Sequence, residues 1–103
     1  MKELNDENFN EQIRNKKLIL VDFYATWCGP CNMQAKVLAK LQSSRSLGFD
    51  IVKVNVDESP QLAMKYGIES IPTLIVLKNN EIVKRNVGYT EESEILKIME
   101  EFK

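Results

Sequence analysis

The run Leu18-Ile-Leu-Val-Asp-Phe-Tyr24 constrains this chain more than any other stretch. It is almost continuously apolar, with no polar alternation to mark a wet face. Such a run reads as a strand covered on both sides, in a sheet with helices packed on each face. Gly29-Pro30 ends the extended segment, and Pro30 sits well in the first turn of a following helix. A strand feeding directly into a helix makes a layered α/β architecture the expectation.

The remaining segments extend that pattern. Lys2 to Leu4 is read as a short first strand. Asn8, with Glu11 three residues on, has the spacing of a capping box opening a short helix through Ile13. The helix begun at Pro30 carries Met33, Val37, Leu38 and Leu41 at helical spacing and fades near Ser43-Ser44. Ile51 to Val56 reads as a strand, with Val52, Val54 and Val56 on one face and Lys53 and Asn55 on the other. Pro60 opens a short helix ending near Tyr66-Gly67. Thr73–Leu77 and Ile82–Val87 are apolar and strand-like, and Asn79-Asn80 between them suits a tight hairpin because Asn tolerates positive φ. Thr90 is placed to cap a last helix, with Glu91 and Glu92 in its first turn and Ile95, Ile98, Met99 and Phe102 as the buried stripe. The predicted order is β-α-β-α-β-α-β-β-α, a mixed central sheet sandwiched by helices, with an antiparallel hairpin near the end.

Bulk properties narrow the function classes. At 103 residues the chain suits one domain spanning 1–103, long enough to bury roughly 65% of its unfolded surface. With 14 Lys+Arg against 15 Asp+Glu, the net charge of −1 draws it neither to nucleic acid nor to an anionic membrane. The polar, acidic opening stretch lacks the basic and apolar regions of a secretory signal, which points to the cytoplasm. Two cysteines three positions apart make a poor structural staple, which suits a reducing compartment.

Those cysteines lie in Trp27-Cys28-Gly29-Pro30-Cys31. Spaced i and i+3 on the first turn of a helix, they can close a small ring disulfide. The unpaired N–H groups and partial positive charge of a helix N-terminus favour thiolate at the first sulfur, and thiolate is the reactive form. Cys28, nearer the helix start, is therefore expected to attack a substrate disulfide, and Cys31, one turn on, to resolve the mixed disulfide. A bare C-x-x-C also fits half a zinc site or two inert cysteines. A closed zinc site needs four ligands, and this chain has no third Cys and no His, so no metal is expected. Gly-Pro between the cysteines speaks against a plain helix interior.

Asp22 stands out as a carboxylate inside a strand read as buried on both faces. Burial without a partner should raise its pKa, whereas a structural Asp would instead be bonded to nearby backbone or water. Pro72 begins a strand, where no ladder donor is needed.

With Trp27–Cys31 set after the Leu18–Tyr24 strand, the chain resembles the thioredoxin family over nearly its whole length. The resemblance includes Val21-Asp-Phe-Tyr-Ala25, Lys53-Val-Asn-Val-Asp57, Tyr66-Gly-Ile68 and Ser70-Ile-Pro-Thr73. It implies a protein-disulfide reductase and electron carrier with no bound cofactor, using a reversible Cys28–Cys31 disulfide. It also implies recycling by a thioredoxin reductase that spends NADPH, with targets such as ribonucleotide reductase or peroxidases, and a monomer. By the same resemblance Asp22 exchanges protons with Cys31, and Lys53 tunes Asp22, although such a Lys can equally snorkel to solvent. The proline matching Pro72 is cis in the family and lies against the cysteines, leaving the Ile71 backbone free for substrate. Trp27, Gly29, Pro30, Ile71 and Gly88 match the family's apolar contact surface, the other reading of Trp27 being plain core. Gly29-Pro30 resembles the strongly reducing branch.

Four positions depart from the common pattern. Asn32 replaces a Lys or Arg, Lys36 a helix-kinking Pro, Ser70 a Gly and Tyr24 a Trp. They bear on partner preference and redox poise. A donor dedicated to one enzyme and a binding module that merely uses this fold are the competing readings. Cys28, Cys31, Asp22 and Pro72 together speak against the binding module.

Overall fold

The computed structural model describes residues 1–44 and 46–103. Its centre is β2 (Leu18–Tyr24), whose first six residues are all buried. The other elements are β1 (Lys2–Leu4), α1 (Phe9–Ile13), α2 (Gly29–Ser44), β3 (Asp50–Asn55), α3 (Pro60–Lys65), β4 (Thr73–Lys78), β5 (Glu81–Val87) and α4 (Glu92–Phe102). The sheet order is β1-β3-β2-β4-β5. β1 and β2 run parallel to β3, whereas β4 runs antiparallel to both β2 and β5. This is the mixed sheet expected from the sequence.

Strand parity sorts the core into two layers. Ile19, Val21 and Phe23 of β2 pack with Phe9 and Ile13 of α1, Leu62 of α3, and Tyr66. The Tyr66 ring lies 5.6 Å from both Phe9 and Phe23. Leu18 and Leu20 point the other way, against Leu38 and Leu41 of α2 and Ile95, Ile98 and Met99 of α4. Asp22 has the parity of Leu18 and Leu20 and so belongs to the α2/α4 side. Asn79 and Asn80 both adopt positive φ, as a two-residue hairpin between Lys78 and Glu81 requires.

Three local expectations are corrected. Asn8 precedes α1 but makes no side-chain cap, because its Oδ1 accepts the Asn5 N–H at 2.8 Å. Met33 is exposed, and the buried stripe of α2 is Cys31, Gln34, Leu38 and Leu41. Thr90 does not cap the last helix, which starts at Glu92 after Glu91. Thr90 is instead buried, with its backbone bonded to a side chain of α2.

Candidate active site

Register brings three distant segments to one end of the sheet. Phe23 near the end of β2 pairs with Thr73 at the start of β4, and Thr73 pairs with Val87 at the end of β5. The Trp27–Cys31 turn, the Ile71–Pro72 segment and Gly88 therefore meet at the same edge. The Ile71–Pro72 peptide bond is cis, as the resemblance implies. Gly88 donates its N–H to the Pro72 carbonyl at 2.8 Å and has φ +91°, a backbone conformation that favours glycine.

Cys28 and Cys31 are paired as a disulfide, with Cα atoms 5.2 Å apart. Cys31 is 1% exposed and Cys28 7%, so Cys28 is the more accessible residue of the pair. The Cys31 backbone N–H points at Cys28 Sγ from 3.2 Å, as the free donors of a helix start can. The Ile71 carbonyl oxygen lies 3.8 Å from the same sulfur, and Ile71 packs against the cysteines together with Tyr24 and Val56. Among the described residues, nothing would crowd a Cβ at Gly29.

Trp27 is 72% exposed, which removes the core reading for it. Its ring is nonetheless held, because Nε1–H donates to Asp57 Oδ2 at 2.8 Å. Asp57 is set in turn by buried Asn55, whose Oδ1 accepts the Asp57 N–H at 2.9 Å. Sequence reading missed both. An Asn two residues before an Asp just after a strand is the turn chemistry that could have shown them.

Asp22 is 1% exposed, and its Oδ1 has no hydrogen-bond partner among the described residues. Burial pushes its pKa up from 3.8 to about 7, against the opposing pull of the Lys53 charge. Glu3, Lys53 and Asp22 occupy one row across β1, β3 and β2 and so face the same side. Lys53 Nζ lies 3.8 Å from Glu3 Oε1 and over the Tyr24 ring, whose hydroxyl donates to Glu3 at 2.7 Å. Glu3 thus shares the Lys53 charge, a contact visible only once β1 and β3 are paired. Because Lys53 lowers the Asp22 pKa, Lys53→Met is expected to move the Asp22 titration above 7. Carboxyl NMR chemical shifts against pH would follow it, and an unmoved or lowered titration would end Lys53's tuning role.

The structure also exposes Gln34, which sequence reading passed over. It lies three residues after Cys31 and four before Leu38, where a polar amide on an apolar helical stripe was the available clue. Among the described residues, no cluster of three or more His, Cys, Asp or Glu is placed to hold a metal ion.

A dithiol–disulfide pair on a helix start can exchange disulfides with a target. Comparisons with known proteins agree. The Thioredoxin family model matches residues 1–101. A thioredoxin of Listeria monocytogenes is 41% identical over 102 residues, covering 99% of this chain and 98% of that one. One of Bacillus subtilis is 45% identical over 84 residues, covering 82% and 80%. Among solved structures, a mutant thioredoxin from Halobacterium salinarum superposes with a TM-score of 0.89 at 29% identity, covering 98% of this chain and 88% of that one.

Proposed function

The chain belongs to the thioredoxin family and is a thiol–disulfide oxidoreductase, and from that premise we propose how its residues divide the work. In the reduced form the Cys28 thiolate attacks one sulfur of a target disulfide. A mixed disulfide forms on Cys28 and the departing sulfur leaves as a thiolate, which takes up a proton. Cys31 then loses its proton to the Asp22 carboxylate and attacks Cys28 Sγ. That closes the Cys28–Cys31 disulfide and expels the second target sulfur, so two electrons have passed from the chain to the target. The observation that carries this reading is the Cys31 N–H aimed at Cys28 Sγ, with Cys28 the more exposed of the pair.

The docking surface in this reading comprises Trp27, Gly29, Pro30, Ile71, Pro72 and Gly88. Trp27 offers a large apolar face anchored by Asp57. Gly29 has no neighbour to avoid among the described residues, so its missing side chain serves what approaches from outside. The Ile71 backbone pairs with an extended target segment.

The oxidised pair is returned to the dithiol by a thioredoxin reductase that draws on NADPH, the nucleotide being bound by the reductase. Ribonucleotide reductase and peroxidases are suitable targets, because each must have a disulfide reduced once per turnover. A reducing donor works where thiols are kept reduced, so the cytoplasm is the compartment, with the chain acting as a monomer. No helix among the described residues is long and apolar enough to cross a membrane.

The test is capture. A reduced Cys31→Ser variant mixed with a disulfide-bonded peptide is expected to accumulate a one-to-one adduct on Cys28, released by dithiothreitol and located by mass spectrometry. An adduct elsewhere, or none, would overturn the assignment of roles.

A further inference from the structure

Residues 88–91 cross from the end of β5 to the start of α4 without regular secondary structure. Neither element supplies partners for the backbone of Thr90, which is nevertheless buried. An unpaired buried N–H or C=O is costly, so such a segment needs a dedicated partner. Gln34 provides it. Its Oε1 accepts the Thr90 N–H at 2.8 Å, and its Nε2 donates to the Thr90 carbonyl at 3.0 Å. Gln34 is 0% exposed, so water does not compete for either bond.

The rest of the turn hangs from this clamp. The Thr90 hydroxyl oxygen accepts a bond from Asn86 Nδ2 and lies 3.5 Å from the Gly88 carbonyl. Gly88 donates to Pro72, and Pro72 follows the Ile71 carbonyl that sits beside Cys28 Sγ. A continuous path of bonds thus joins the helix turn carrying Cys31 to the far rim of the contact surface. Tyr89, between the two bonded residues, is left exposed.

We propose that Gln34 is a positioning residue for reduction of protein disulfides, holding the Gly88–Thr90 rim at a set distance from the cysteines. The proposal rests on the reductase reading above and adds a specificity to it. A target protein must lie across the rim and the cysteines together, whereas a small disulfide needs only the cysteines. Gln34 therefore separates the two kinds of substrate.

The experiment compares wild type with Gln34→Met, which keeps the side chain's length and shape and removes both bonds. Two substrates are used: insulin, with dithiothreitol as terminal reductant, and the small aryl disulfide dithiobis(nitrobenzoate), mixed with pre-reduced protein freed of dithiothreitol. The expected result is a KM for insulin raised about tenfold, as loss of hydrogen bonds to buried groups would give. The kcat, the rate with the small disulfide and the Cys28–Cys31 midpoint potential should change less than twofold. Gln34→Glu, which keeps an acceptor for the Thr90 N–H, should give an intermediate KM and serves as the test if Gln34→Met does not fold. A parallel fall with both substrates, as simple destabilisation would produce, overturns the proposal. So does an unchanged KM for insulin in a folded variant. Wild type that reduces neither substrate would overturn the reductase reading as well.

Discussion

Replacing Cys28 by serine is expected to abolish disulfide reduction, with a loss on the order of a thousandfold or more, as removal of a covalent nucleophile usually gives. A serine hydroxyl remains protonated at neutral pH, and its oxygen cannot form the sulfur–sulfur bond through which the electrons move. The remaining thiol, Cys31, is 1% exposed and lies a helical turn further in, so it is badly placed to attack a target directly. The matching Cys31→Ser variant fails differently. It still attacks once, through Cys28, and then stalls as the mixed disulfide. A single-turnover assay with pre-reduced protein and insulin separates the two cases. Cys28→Ser should give no adduct and no product, whereas Cys31→Ser should give adduct without steady turnover. If Cys28→Ser kept more than a tenth of the wild-type rate, the nucleophile would have to be reassigned.

How much of this was legible beforehand depends on how local each determinant is. The central strand was, because burial on both faces leaves its mark within seven consecutive residues, and β2 matches Leu18–Tyr24 to the residue. The cysteine pair was too, since ring closure and the helix start both lie within Cys28–Cys31. Asp22 announced itself as a charge where the strand pattern demanded none. What went unread at Thr90 and at the start of α3 depends on partners far along the chain, and the miss at Asn8 on a partner three residues away. Thr90 before two glutamates looks like a helix cap, but its backbone is claimed by Gln34, 56 residues away. The start of α3 is served by Asp6, which accepts the Gln61 and Leu62 N–H groups from the turn before α1. Asn8 had the spacing of a capping box, yet its neighbour Asn5 captured its side chain first. Local pattern reports propensity, and the bonds of Thr90 and Asp6 are decided only once the sheet has brought the segments together.

Asp22→Asn is expected to make the protein more stable by an amount that depends on pH, and the dependence is the diagnostic part. In the folded disulfide form the Asp22 carboxyl titrates at about 7, compared with an ordinary 3.8. Below about pH 4 the group is protonated whether the chain is folded or not, and its burial as a neutral acid costs little. Between about 4 and 7 the unfolded chain releases the proton while the folded chain keeps it, so stability falls as pH rises. Above 7 the folded chain holds a buried carboxylate, and the loss is complete. A rise from 3.8 to about 7 corresponds to about 4 kcal/mol, a large part of the stability of a domain this size. Asn is near in shape and does not titrate, so the variant should lack this slope. Urea unfolding of the disulfide form at pH 3.5 and pH 8.5 reads it directly. The stability difference between variant and wild type should grow by about 4 kcal/mol across that interval, whatever constant offset the new amide introduces. A difference that stays flat would mean that Asp22 ionises normally in the folded chain and could not accept the Cys31 proton near neutrality. On the proposed division of roles such a carboxyl is kept to accept the Cys31 proton, and the same substitution should then lengthen the life of the mixed disulfide.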